Sequence, residues 1–286
     1  MKNYSKNSIV HTRYIKILIG ILSIFLLLCI SLIIYVIFTN NISYSKVSDV
    51  AYTSTKDMQV NSSPVIINNL VLGGVYNNNF VSNEGYYTNS VNKKDYEINM
   101  FSSDSKLGKY NIKEVNMFKN TMYAITTKTS ETIEYVAANV DKNSGIKKVT
   151  EYDNDLFINK CRSSLGIYGI LNFNIKINEV YEFYFNNGIS NIICFSGRSG
   201  NTAYYAMTFI DSSGKQKLIK YNYVANIKDS SLFNVYTLKF VIDLNNDNVN
   251  EIIIQETSEF KTKYVVLEYN KNKFYEILSS EIENNI

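Results

Sequence analysis

Asp243, Asn245 and Asp247 stand at alternate positions in the segment KFVIDLNNDNVNEIIIQE, and Glu251 follows four positions after Asp247. Calcium takes about six to eight hard oxygen ligands at about 2.3–2.6 Å, and short acidic or amide side chains alternating through a tight turn converge to supply them. The carbonyl of Val249 adds a candidate main-chain oxygen. Asn248 falls where such loops prefer glycine, and asparagine is the next-best residue for positive φ. An EF-hand does not fit, because its twelfth position would be Ile254 and the flanks read as strands. The same residues also read as an Asx-rich hairpin turn that holds no metal.

Other chemistry is sparse. The only histidine is His11, so everything beyond the N-terminal segment lacks a Ser-His-Asp triad, a Cys-His pair and a His-bearing zinc site. Two carboxylates suffice for a glycosidase, but nothing in the sequence marks such a pair among the 26 acidic residues. Cys161 and Cys194 lie 33 positions apart, open to a disulfide in an oxidising compartment or to burial as free thiols. Gly73-Gly74 and Gly197-Arg198-Ser199-Gly200 lack the strand–loop–helix setting and the lysine of a phosphate loop, so they read as turns. Of 24 tyrosines, 21 lie beyond position 40; in a domain without tryptophan they suit strands better than ligand platforms.

The elements that must carry these residues begin with an apolar run. Ile17 to Phe38 (ILIGILSIFLLLCISLIIYVIF) holds no charge, and as a helix it extends about 33 Å against a hydrocarbon core of about 30 Å. Lys2, Lys6, Arg13 and Lys16 precede it with no acidic residue, whereas the other side is neutral until Lys46. The positive-inside rule then puts residues 1–16 in the cytoplasm and the remainder outside, on a single-pass signal-anchor at 17–38. The run is too long for a cleaved signal peptide and no small-residue cleavage pattern follows it. With those four cations set aside, 25 basic residues face 26 acidic ones, so no basic field argues for nucleic acid.

Residues 39–63 are polar and read as a linker. From position 64 to 286, short Val/Ile/Thr/Tyr/Phe runs alternate with Asn/Asp/Gly/Ser turns, which predicts an all-β domain with no long amphipathic helix. VAANVDKNSGIKKVTEY, MTFIDSSGKQKLIKY and VVLEYNKNKFYEIL each read as a hairpin, and SSDSKLGKYNIKEV as a looser fourth. Their turn starts at Asp104, Asp141, Asp211 and Asn270 are irregularly spaced, compatible with degenerate propeller-like sheets or with an irregular sandwich of antiparallel hairpins.

The segment FVIDLNNDNVNEIII resembles the D-x-D/N-x-D-G-x-x-D/E loop of FG-GAP repeats (integrin α-like, VCBS-type). That resemblance implies calcium held in a hairpin loop of a cell-surface β-propeller, with Asp243, Asn245, Asp247 and Glu251 as side-chain ligands. It covers about the last 50 residues, in a single copy, with asparagine for the loop glycine and glutamate for the final aspartate. The function expected is that of a non-enzymatic, membrane-anchored extracytoplasmic binding or structural protein, stabilised by calcium, whose partner is a cell-envelope component or a protein. The alternatives are an envelope hydrolase acting on glycans through two carboxylates, and an accessory subunit of a membrane complex.

Overall fold

The computed structural model describes residues 21–29, 62–82, 96–118, 121–127, 133–166, 174–186, 188–224 and 233–284. The chain divides into two compact units, residues 1–41 and 42–286. In the first, residues 21–29 are helical, and Leu22, Phe25 and Leu27 are each more than 60% exposed. The remainder of the expected 17–38 anchor lies outside the described residues, as do the cytoplasmic segment, His11 and nearly all of the expected linker. No helix among the described residues is long and apolar enough to cross a membrane.

The second unit is β-rich and antiparallel, and it begins with a closed barrel. Its strands are β1 (Ser63–Ile67), β2 (Leu70–Tyr76), β4 (Tyr96–Phe101), β5 (Lys106–Phe118), β6 (Thr121–Thr126) and β7 (Val136–Ala138). They run in the order β1-β7-β4-β5-β6-β2, β1 pairs back onto β2, and β3 (Asn79–Ser82) extends β2 at the rim. Alternation divides the side chains: Ile66, Val71, Ile98, Met100 and Met122 share one core, whereas Val65, Ile67, Leu70, Leu72 and Phe80 enter another. Both faces are covered, which explains why PVII and LVL read as unbroken apolar runs. The two-residue turns Asn68-Asn69 and Asn77-Asn78 both have positive φ, and such turns match the strand twist.

A five-stranded sheet follows: β8 (Lys147–Lys148), β9 (Asn174–Phe185), β10 (Gly188–Ser199), β11 (Thr202–Ile210) and β12 (Gln216–Val224), in the order β12-β11-β10-β9-β8. Helix α1 (Asn154–Ser164) lies over one face, its start capped by the Asp153 carboxylate, which accepts from the Leu156 amide at 2.9 Å. Phe157, Cys161 and Leu165, four positions apart, share a core with Phe195 and Tyr204 of the sheet. The helix was not expected from the sequence, because its apolar stripe is only two turns long.

One expectation is corrected. Residues 136–148 do not form a hairpin: β7 pairs with β1 and β4, while β8 pairs with β9. The intervening segment crosses between sheets, with the Ser144 amide donating to the Val241 carbonyl and the Asn143 side chain to that of Ser102. Distant partners outweigh the local turn chemistry there. Of the two readings open for Cys161 and Cys194 the structure has the second: both are buried free thiols facing opposite sides of the five-stranded sheet.

The last sheet is the meander β13 (Val235–Ile242), β14 (Glu251–Thr257), β15 (Lys261–Asn270) and β16 (Lys273–Glu283). Ile252, Ile254, Val265 and Leu267 pack with the five-stranded sheet, and Phe240, Ile253, Val266 and Leu278 pack with the barrel. It is therefore the middle layer. Four strands is the size of a propeller blade, but its neighbours are a barrel and a five-stranded sheet rather than two further blades.

Gly197 on β10 lies opposite Tyr204 on β11, and a Cβ at Gly197 would sit well inside contact distance of the buried Tyr204 ring. The outer end of the ring occupies the space a Cβ would need, so Gly197→Ala must displace it. The expected loss is about 1–3 kcal/mol, the usual range for overpacking a core. A lowered urea midpoint with unchanged slope is the reading; an unchanged midpoint would show that the ring slides aside freely.

Candidate metal centre

The loop between β13 and β14 is organised by its own side chains. The Asp243 carboxylate accepts from the backbone amides of Asp247 at 3.1 Å and Asn248 at 2.9 Å. Asn245 Oδ1 accepts from the Asp247 amide at 3.2 Å, and Asp247 Oδ1 from the Val249 amide at 2.7 Å. Asn245 Nδ2 donates to Asp247 Oδ2 at 3.0 Å. Asn246 and Asn248 are left-handed, with φ of 58° and 68°, so asparagine does occupy the conformation usually given to glycine. The side chains of Asp243, Asn245 and Asp247 accept from backbone amides two to five residues on, which is why this sequence closes into a turn rather than extending the ladder.

Glu251 lies at the start of β14 and is 0% exposed. Its Oε2 accepts from the Leu244 amide at 2.7 Å, while its Oε1 is buried with no hydrogen-bond partner. Burial pushes this carboxyl up to about 9; the Leu244 amide opposes the rise, and the charges of Asp247, Asp243 and Glu268 add to it. The half-buried Glu268 is also raised, by burial first and then by Asp247.

Asp243, Asn245, Asp247 and Val249 are thus brought into one turn, with Glu251 beneath it. Among the described residues no group of three or more His, Cys, Asp or Glu side chains is gathered as a ready metal cage. The donor set nevertheless fits a hard cation. A buried carboxylate oxygen without a donor is costly, and the neighbouring charges are all of the same sign. Asp243 and Asp247 oxygens that accept one amide retain a second lone pair.

The loop also meets three parts of the fold. Asn245 Nδ2 donates to the Asn78 carbonyl at 3.2 Å, Asn78 Nδ2 to the Asn246 carbonyl at 3.4 Å, and Asn246 Nδ2 to the Asn139 carbonyl at 3.4 Å, all on the barrel side. Asn250 accepts from Ser144 Oγ at 2.8 Å and donates to the Tyr184 carbonyl of β9 at 3.4 Å. A polar cleft of about 200 Å3, lined by Ser63, Asn77, Asn78, Asn139, Asn245 and Asn246, lies beside it. Sequence reasoning missed Asn78, Asn139 and Glu268, because strand register and barrel closure bring them here rather than spacing along the chain.

A second, open groove of about 320 Å3 is lined by Asp104, Lys147, Glu182, Tyr184 and Ile189, among others. It contains two carboxylates, yet hydrogen bonds from Ser102 and Ser105 hold Asp104 below its usual range. In comparisons with protein-family models, curated proteins and solved structures, nothing matches this chain.

Proposed function

We propose that this chain is a non-enzymatic, membrane-anchored extracytoplasmic protein whose β-rich domain binds a cell-envelope component or a protein, with calcium fastening its layers together. The observation that carries the calcium reading is the unpartnered, fully buried Oε1 of Glu251 beneath a turn of Asp243, Asn245 and Asp247. The resemblance of this loop to FG-GAP repeats supports the same cation. Asp243, Asn245, Asp247 and Glu251 would hold it, with the Val249 carbonyl as a further oxygen. Bound calcium would neutralise carboxylates that form no ion pair among the described residues. Because the loop touches the barrel and the five-stranded sheet as well as its own meander, neutralising it stiffens the junction of all three. The uncharged 17–38 segment and its basic N-terminal flank support the anchor and its orientation.

The test is thermal unfolding of the full chain in detergent, with chelator and with calcium. At a calcium concentration 100-fold above Kd, the native state gains about 2.7 kcal/mol. For a domain of this size that is a rise in Tm of about 5–10 °C. Asp243→Ala with Asp247→Ala should abolish the rise. No rise in the unmutated chain ends the calcium reading.

A further inference from the structure

The meander brings a fourth carboxylate to this loop. Strands β14 and β15 are antiparallel, their paired register ends with Ile252 opposite Leu267, and continuing it by one step places Glu251 across from Glu268. Directly opposed residues point to the same side of a sheet. Glu251 shares its side with Ile253, and Glu268 with Val266, both of which enter the core against the barrel. Glu268 is half-buried. Two carboxyl groups so placed repel one another once both are ionised, unless a proton or a cation lies between them.

No side chain among the described residues forms an ion pair with either carboxylate. Among the described residues, three of the meander's five lysines are engaged elsewhere, Lys239 with Glu134, Lys261 with Glu281 and Lys263 with Glu276, while Lys271 and Lys273 stand exposed at the β15–β16 turn. Neither Glu251 nor Glu268 takes part in an ion pair among the described residues, and the only hydrogen bond to the Glu251 carboxylate comes from the Leu244 amide. The Glu251 Oε1 atom is buried with no hydrogen-bond partner among the described residues. A divalent cation here answers both the orphaned oxygen and the opposed charges.

We infer that Glu268 is a further oxygen ligand of the cation site, so that the site joins the β13–β14 loop to strand β15 rather than lying within the loop alone. This rests on the calcium reading above. It makes four carboxylates, Asp243, Asp247, Glu251 and Glu268, available to one ion, and greater ligand charge tightens calcium binding.

The experiment titrates the full chain in detergent with calcium by calorimetry, and with terbium by tyrosine-sensitised emission. Glu268→Gln keeps the side-chain shape and should weaken calcium binding about 10- to 100-fold, the range seen when a supporting group of a metal site is lost. Glu268→Asp, with the charge on a shorter arm, should fall between the two. Glu259→Gln, in the exposed turn at the far end of β14, should bind as the unmutated chain does. In chelator, Glu268→Gln should melt no lower than the unmutated chain, because a repulsion has been removed; a lower melting point would give Glu268 a packing role and overturn the inference. Unchanged affinity in Glu268→Gln overturns it while leaving the loop site standing. If the unmutated chain binds neither ion, the inference and the calcium reading fall together.

Discussion

With divalent cations removed, the chain loses stability as pH rises from about 4.5 to about 9, and calcium restores increasingly more of it over the same range. The cause is Glu251, whose ordinary value of 4.5 is pushed up to about 9 by burial. In that window the folded chain retains a proton that the unfolded chain has released. Stability therefore falls with rising pH, by at most about 1.4 kcal/mol per pH unit for one group. The contribution is full below 4.5 and is lost as pH passes through 9. Calcium must displace the same proton, so its affinity rises with pH and the gap between the calcium and chelator melting curves widens. Glu251→Gln should flatten the chelator curve, because its amide carries no ionisable proton. A flat curve in the unmutated chain would show that Glu251 ionises freely and would remove the argument for a cation beneath the loop.

Replacing Lys220 by methionine should cost about 3–5 kcal/mol, the range seen when one partner of a buried pair is removed. Lys220 on β12 is 6% exposed, pairs with Glu256 of β14 and lies 3.9 Å from Glu276 of β16. Glu276 has a second partner in Lys263 at 2.7 Å. Burial pushes the Lys220 amine down to about 8, against the pull of Glu256. The pair therefore contributes little net stability, yet breaking it strands Glu256 between two sheets. Removing both charges, as Lys220→Met with Glu256→Gln, should recover most of the loss. Denaturant unfolding of the two single variants and the double variant measures the coupling. A single variant as stable as the parent would refute the assignment.

The parts of the fold legible in the sequence are those with short-range causes. Lys271-Asn272 closes β15 onto β16 with two positive φ angles, and the Asp211 carboxylate organises the β11–β12 turn by accepting from Ser213 and Lys215; both hairpins form where turn chemistry placed them. The Asp243 loop is of the same kind, since the bonds its residues make among themselves span at most seven positions. What could not be read is set at long range. Barrel closure brings β1 to β7, with Ile66 opposite Ala137, some 70 residues apart. No local signal encodes that pairing, and it overrides the Asp-Lys-Asn-Ser-Gly stretch that looked like a hairpin. Glu268 belongs with the site only because β14 and β15 pair in one register; a shift of one residue would turn it to the opposite face. Helix α1 was obscured because Phe157, Cys161 and Leu165 offer too short a stripe to outweigh the surrounding β-type composition.

The meander that forms the middle layer comprises residues 235–283, and it packs against the barrel on one side and the five-stranded sheet on the other. A ribosome delivers the two outer layers first. Until the final strands arrive, Val65, Ile67 and Leu72 of the barrel and Phe183, Met207 and Phe209 of the sheet have nothing to cover them. Surfaces of that kind aggregate when left waiting. The order of synthesis thus runs from the outside inward, and the emerging chain must be held apart from its neighbours until its centre is made.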